Sequence, residues 1–493
     1  MKNELLDDLN FIIERLSRPQ LTTWIDTEAL RILELKYEIL RINELVYYLH
    51  GSSALFPAIR FIFINTFSLQ ELKNLAEDNG LPQFEKYEKY LDLKVFIKLF
   101  NFSTAWKEES RRDFENIGKI CPSYNLSIAS LGRPHYYQKY VKDYCINWFL
   151  EGGNSKSLVS MPTGSGKTRT ANEFLIDLFR INKVRKVLWL AHRRELLFQT
   201  AKSFEKLHIE KGDDCVILKF NFDQYSNWFE LDDSKEITYS SYDKIDDKIV
   251  STDHNIDLIV IDEAHYTTAN TYEPKVKRII SSNNAKLLGL TATPMRADDD
   301  IFLNLLTYYQ HTISLSDVFG STDPLKKLQD EEYLAHITYD YLNIPTVEFR
   351  PESVILNEAI INKCKRFKLE NKNILIFAMS KAHAIAINAM LNMEGVASSC
   401  IIGETLLSDR AHMMEAFGKK DITALVNYDI LTTGVDIPGM NGILVLRNFN
   451  ERHTAIQVLG RALRGPKNGG NKNNSVIFIN EVSGQNINDL YNY

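Results

Sequence analysis

The stretch that most constrains this chain is Met161-Pro162-Thr163-Gly164-Ser165-Gly166-Lys167-Thr168. Gly164 and Gly166 let the backbone turn tightly and point several N–H groups into one concavity. Such a concavity suits phosphate oxygens, and a helix beginning at Thr168 would add its N-terminal dipole. Thr163, Gly164, Ser165, Gly166, Lys167 and Thr168 are therefore the expected nucleotide-binding residues. Lys167 would reach the β- and γ-phosphates, and the Thr168 hydroxyl would sit on Mg²⁺. The run Leu158-Val159-Ser160 before the loop reads as a strand, which is the expected context. The strict P-loop pattern asks for Gly where Met161 stands, so the stretch alone supports only binding of a nucleotide phosphate.

Composition bounds the rest. At 493 residues there is room for about three domains. Apolar content of 44% and charge of 25% are ordinary for a soluble globular protein. A net charge of −6 gives no global footprint for nucleic acid, so any such binding must use a local basic groove. Cys121, Cys145, Cys215, Cys364 and Cys400 are scattered with no C-x-x-C pair. They suggest neither a zinc site nor a disulfide framework, and the plain expectation is buried free thiols in a reducing cytosol. The opening MKNELLDDLN is not a signal peptide, and the apolar run Ile374 to Met379 is far too short to span a membrane.

Residues 1–115 read as a helical accessory domain. Leu5, Leu6, Leu9, Ile12, Ile13 and Leu16 recur at helical spacing until Pro19, and Ala29 to Leu40 suggests a second helix. Ser68-Leu69-Gln70-Glu71 is a capping box opening a helix that ends at Gly80, and Tyr87 to Phe100 predicts one more. Phe67 to Pro82 resembles one helix of small bacterial adaptor domains. The dense aromatics here, among them Phe61, Phe63, Phe67, Phe84, Phe96 and Phe100, read as core.

From about residue 120 strands and helices alternate. Leu158–Ser160, Lys186–Leu190, Ile256–Ile261 and Lys286–Leu290 predict buried parallel strands. A second set follows at Ile374–Phe377, Ala397–Ile402, Thr423–Val426, Gly442–Leu446 and Val476–Ile479. Leu303 to Val354 is polar and irregular between them. The expected organisation is α/β: an ATP-binding parallel-sheet domain over 116–320, a linker over 321–350 and a second parallel-sheet domain over 351–493.

Two further motifs carry chemistry. Leu258-Ile259-Val260-Ile261 delivers Asp262 and Glu263 to a strand's C-terminal edge, where α/β sheets bind ligands. Asp262 would hold Mg²⁺ through water, and Glu263 would orient and deprotonate the attacking water. A solvated Asp-Glu at a strand end is the bland alternative. In Gln457-Val458-Leu459-Gly460-Arg461-Ala462-Leu463-Arg464, the two arginines are three apart and would share a helix face. From a second domain they would stabilise charge on a transferring γ-phosphate. A plain basic face is the competing reading.

In order, the phosphate loop, Asp262-Glu263-Ala264-His265, Thr291-Ala292-Thr293-Pro294 and Gln457 to Arg464 resemble motifs I, II, III and VI of superfamily 2 helicases. The DEAH spelling and the surrounding residues resemble the branch containing restriction-enzyme R subunits, where Met161's position need not be Gly. The resemblance spans about residues 130–480 and implies two RecA-like domains clamping ATP and Mg²⁺. It implies that Gln138, in Arg133-Pro134-His135-Tyr136-Tyr137-Gln138, reads adenine. It implies that Arg193 meets a nucleic-acid phosphate, with Ser240, Ser380, Lys381, Thr432 and Thr433 as further strand contacts. Gly434 and Asp436 would face ATP across the cleft. A nucleic-acid-dependent ATPase, with DNA favoured over RNA, is the expectation. It would act as a helicase or translocase, the motor of a restriction, repair or phage-defence system, with an effector or nuclease partner bound through residues 1–115. The alternative is a nucleic-acid-gated switch that recruits an effector through residues 1–115.

Overall fold

The computed structural model describes residues 2–22, 24–38, 40–50, 54–55, 57–106, 118–122, 132–151, 155–221, 234–245, 255–264, 273–292, 300–320, 323–405, 407–432, 437, 439–447 and 452–480. The apolar runs after residue 155 become strands because each is short and bounded by turns. They build two RecA-like sheets. Lobe one holds β1 (Gly118–Ile120), β2 (Lys156–Ser160), β3 (Lys186–Ala191), β4 (Val216–Asn221), β5 (Glu236–Ser241), β6 (Leu258–Asp262), β7 (Lys286–Thr291) and β8 (His311–Ser314). Their order is β1-β4-β5-β3-β6-β7-β2-β8. Each neighbour pair is parallel except β1 with β4.

Lobe two holds β9 (His336–Leu342), β10 (Ile374–Phe377), β11 (Ser398–Ile401), β12 (Ala424–Asn427), β13 (Gly442–Val445) and β14 (Asn473–Ile479). They run β11-β12-β10-β13-β14-β9, all parallel. All nine expected strands form, with ends shifted by at most three residues. Two strands occupy the stretch read as irregular. β8 adds to β2 at the edge of lobe one, and β9 pairs β14 along its whole length, so residues 336–342 belong to the second sheet rather than to a linker. β9 was illegible because it is an edge strand, half-exposed and polar in its sequence HITYDYL.

The N-terminal region is helical as expected. Ser68 and Glu71 form the reciprocal cap of helix Leu69–Asp78. The single helix expected over Tyr87–Phe100 is broken at Asp92, whose carboxylate accepts from the Lys94 and Val95 amides and starts a new helix, Leu93–Leu99. Phe63, Phe67 and Phe96 are buried as core, but Phe61 is 55% exposed.

This helical region is not a free appendage. Helices Thr27–Lys36 and Ile42–His50 pack on helix Lys381–Met393 of lobe two. Leu33, Leu45 and Val46 share one apolar cluster with Ile385, Ala389 and the β10 residues Ile374 and Ile376. The junction is pinned by Tyr37, whose hydroxyl donates to Glu394 at 3.2 Å, and by the Lys36–Glu358 ion pair at 3.3 Å.

One expectation about cysteine is overturned. Cys121 and Cys215 are disulfide-bonded, while Cys145, Cys364 and Cys400 are free. The antiparallel register pairs Ile120 with Val216, which places the flanking Cys121 and Cys215 opposite each other. Ninety-four residues separate the two, so linear spacing carried no signal. The inference from five free thiols to a reducing compartment therefore falls. No helix among the described residues is long and apolar enough to cross a membrane.

Candidate ATP-binding cleft

The phosphate loop leaves β2 at Ser160, and its course is fixed by the Met161 amide donating to the Thr291 carbonyl at the end of β7 (3.0 Å). Gly164 (φ +82°) and Gly166 (φ +91°) both adopt the left-handed backbone that glycine permits. Helix Lys167–Arg180 then starts at Lys167, directly after Gly166. Ser165 is buried, its hydroxyl donating to the Pro162 carbonyl at 2.7 Å.

β6 ends at Asp262, and Glu263 takes φ +55°, a conformation costly for a side chain with a Cβ. The kink is held by the Glu263 amide donating to Asp262 Oδ1 at 3.1 Å. It turns Glu263 toward Lys167, with 3.9 Å between Oε1 and Nζ. Burial, reinforced by the Glu263 charge, pushes the Asp262 carboxyl up to about 6, against the opposing pull of Lys167. A buried carboxylate pair beside one lysine lacks positive charge, and a divalent cation would supply it. The residues therefore fit Mg²⁺ with a triphosphate: Thr168 and Asp262 line the cleft, and Gly164 and Gly166 line the same space.

Gln138 lines the cleft, but its side-chain amide is engaged by the chain. It is buried, its Oε1 accepts from the His135 amide at 3.0 Å and its Nε2 donates to the Ser165 carbonyl at 2.9 Å. Tyr137 donates to the same carbonyl at 2.8 Å. A Cβ at Gly166 would lie 2.3 Å from Gln138 Nε2. In this conformation Gln138 braces the phosphate loop, and its amide is engaged with the chain rather than offered to a base.

Lobe two closes the cleft. Helix Arg452–Gly460 ends at Gly460, and Arg461 falls in a short 3₁₀ turn, Arg461–Leu463. Arg464 is extended and bridges Leu334. The two arginines thus do not share an α-helical face. Both nonetheless line the same cleft, Arg461 from the short turn and Arg464 from the extended segment after it. A Cβ on Gly460 would come within 2.6 Å of Thr163 Cβ, so the phosphate loop packs directly on lobe two. The resulting cleft, about 720 Å³, is lined by Thr163, Gly164, Gly166, Lys167, Thr168, Asp262 and Glu263 from lobe one. Gln457, Arg461, Arg464, Lys467 and Asn468 line it from lobe two.

The expected strand contacts fare differently. Arg193 sits between the lobes, its Nη1 donating to the Asp429 and Ile430 carbonyls at 3.0 and 3.2 Å. Ser240 is corrected: it is fully buried within β5, bonded to the Ser241 carbonyl at 3.2 Å, and has no surface to offer a phosphate. Ser380 caps helix Lys381–Met393, accepting from the His383 amide at 3.1 Å, and Lys381 pairs with Glu404. Thr432 closes a short turn, Ile430–Thr432. His265, Thr293, Pro294, Thr433, Gly434 and Asp436 lie outside the described residues. Asn468 and Gln457 line the cleft without having been given a role in the sequence. The glycine-rich turn Arg464-Gly465-Pro466-Lys467-Asn468-Gly469-Gly470 was the signal for the first.

Two RecA-like sheets with a phosphate loop on one, arginines on the other and a cleft between define the class of two-lobed P-loop motors. Residues 132–296 match the family Type III restriction enzyme, res subunit, and residues 355–466 match the helicase conserved C-terminal domain. Together these matches cover more than half of the sequence. The chain belongs to the superfamily 2 helicases. It is 26% identical over 353 residues to the putative ATP-dependent helicase IRC3 of Saccharomyces cerevisiae, covering 66% of this chain and 49% of that protein. The chain spans about half the length of the curated relatives it matches first. Its fold resembles S. cerevisiae Dbp5 bound to RNA and ADP BeF3 (TM-score 0.52, 16% identity, 73% of this chain and 88% of that one). It also resembles a fragment of a putative HsdR subunit of a type I restriction enzyme from Vibrio vulnificus (TM-score 0.50, 18% identity, 86% of this chain and 81% of that one).

Proposed function

We propose that this chain hydrolyses ATP in the cleft between its lobes and uses the closure to move along or remodel a nucleic-acid strand, with DNA the favoured polymer. The observation that carries the reading is the cleft itself, where Lys167, Asp262 and Glu263 of one lobe face Arg461 and Arg464 of the other. Lys167 and the loop amides would hold the phosphates. Thr168 and Asp262 would hold Mg²⁺, which supplies charge stabilisation to the transferring phosphoryl group. Glu263, already turned toward Lys167, would take a proton from the attacking water. Arg461 and Arg464 add positive charge only when the lobes are together, so hydrolysis would be coupled to closure. The match to a restriction-enzyme family supports DNA, and supports a motor role in a restriction, repair or defence assembly. Arg193, placed between the lobes and joined to the segment before Thr432, would couple a bound strand to that closure.

A second reading has one observation in its favour. The helical region is packed on lobe two, so a partner bound to residues 1–106 would be carried by that lobe as the cleft closes. This suits a switch that signals to an effector. Turnover of ATP measured with single-stranded DNA, duplex DNA and RNA tests the main proposal. Stimulation by DNA above RNA is expected, and equal turnover with and without every polymer would overturn the nucleic-acid half. Strand displacement would favour the motor, and stimulated ATPase without displacement would favour the switch.

A further inference from the structure

Asn468 touches four other parts of the chain. Its Nδ2 donates to the Gly164 carbonyl of the phosphate loop at 3.2 Å and to the Tyr333 carbonyl, in the crossing between lobes, at 2.8 Å. With the amide protons so committed, its Oδ1 accepts from His135 Nε2 at 3.0 Å, which sets the proton of that imidazole on Nε2. Its backbone carbonyl accepts from Arg464 Nε. One residue thereby ties a cleft arginine of lobe two to the phosphate loop and to the segment preceding helix Tyr136–Glu151.

The turn that presents Asn468 is built around glycine. A Cβ on Gly465 would fall 2.7 Å from the Leu334 backbone, and one on Gly470 would fall 2.1 Å from the Arg464 carbonyl oxygen. Gly469 closes the turn at φ +76°, and the Gly470 amide donates to the Gly465 carbonyl at 2.9 Å. The loop therefore packs against the crossing segment without room for side chains at Gly465 or Gly470.

We propose that Asn468 is a positioning residue for ATP hydrolysis: it holds Arg464 in register with the phosphate loop. The proposal rests on the ATPase reading above. A guanidinium held at Nε presents its terminal edge in a fixed direction, and Arg464 lines the cleft. The Asn468 side chain fixes that edge relative to Gly164, which is the relation a charge acting on the γ-phosphate needs. The side chain itself donates to protein carbonyls, so its loss should leave nucleotide affinity nearly untouched.

The test is steady-state ATP turnover by the full chain with saturating nucleic acid. Asn468→Ala should lower kcat by about tenfold to a hundredfold with KM for ATP within about twofold. Asn468→Asp keeps the volume and the acceptor for His135 but sets an oxygen against the Gly164 and Tyr333 carbonyls. It should lose as much kcat as the alanine variant, and it carries the test if the alanine variant does not fold. In an Arg464→Ala background Asn468→Ala should cost nothing more, because it acts through that arginine. Wild-type kcat in Asn468→Asp, a loss confined to KM, or losses that multiply in the double variant would each overturn the proposal. Absence of turnover in the unsubstituted chain is a different result, and it would remove the ATPase reading and this role together.

Discussion

Helix Arg194–Lys211 of lobe one and helix Lys381–Met393 of lobe two each follow a strand inside a sheet, yet they meet water differently. The first is amphipathic, with Leu197, Ala201 and Phe204 buried and Lys202, Lys206 and Glu210 exposed. The second is buried at every residue from Ala382 to Leu391. A helix apolar all round must be covered on both sides, and here the sheet covers one side and helices Thr27–Lys36 and Ile42–His50 the other. Lobe two is thus completed by the N-terminal hundred residues. Lobe one is completed locally, by the edge strand β1 cross-linked to β4 through Cys121 and Cys215. The same sheet plan can be finished by a distant domain or by a nearby strand, and the choice decides which parts move together.

This contrast can be broken or sharpened by substitution. The largest effect is expected at the helical junction. Leu33 is fully buried there, so Leu33→Ala should cost about 2–5 kcal/mol in chemical denaturation. A loss below about 0.5 kcal/mol, the range of surface changes, would mean the junction is not a packed core. Next comes the staple of lobe one. Cys121→Ser should cost about 2–4 kcal/mol, since it frees a long loop in the unfolded chain, and calorimetry should show the lobe-one transition shifting more than that of lobe two.

A smaller effect is pH-dependent and belongs to lobe two. His383, inside the fully covered helix, bonds Asn357 Oδ1 through Nε2 at 3.0 Å, and burial pushes its imidazole down to about 3. Its folded value lies below its unfolded one, so its contribution is complete above about pH 6.5. It is lost as pH falls below that, at about 1.4 kcal/mol per pH unit, or about 2 kcal/mol between pH 6.5 and 5. His383→Gln should flatten that part of the acid transition, and an unchanged slope in thermal melts from pH 6.5 to 5 would contradict it. The smallest change is expected on the open helix of lobe one, where Lys202→Ala should alter stability by less than about 0.5 kcal/mol. A larger loss would erase the contrast between the two helices.

The nucleotide half of the site was legible because it is local. Met161 to Thr168 and Leu258 to Glu263 each form within one strand–loop unit, and their spacing survives folding unchanged. What was not legible depends on partners distant in sequence. Arg461 and Arg464 line the cleft, but not through the helical face expected of them, which ends at Gly460. Ser240 carries a hydroxyl in a polar-looking stretch, yet β5 lies between β4 and β3 and buries it. The run Ala382-His383-Ala384-Ile385-Ala386-Ile387 of helix Lys381–Met393 is mostly apolar with no helical stripe, a pattern that went unread. Nothing in that run said that residues near Leu33 would supply the cover.

In the proposed mechanism the ATP site is split between the lobes, with its binding half on one and its charge-stabilising half on the other. Paired measurements of turnover and of binding of a fluorescent non-hydrolysable ATP analogue in Arg464→Ala test it most directly. Analogue affinity within about threefold of the parent, with kcat reduced by about a hundredfold or more, is the predicted result. Unchanged kcat in that variant would contradict a site completed from lobe two.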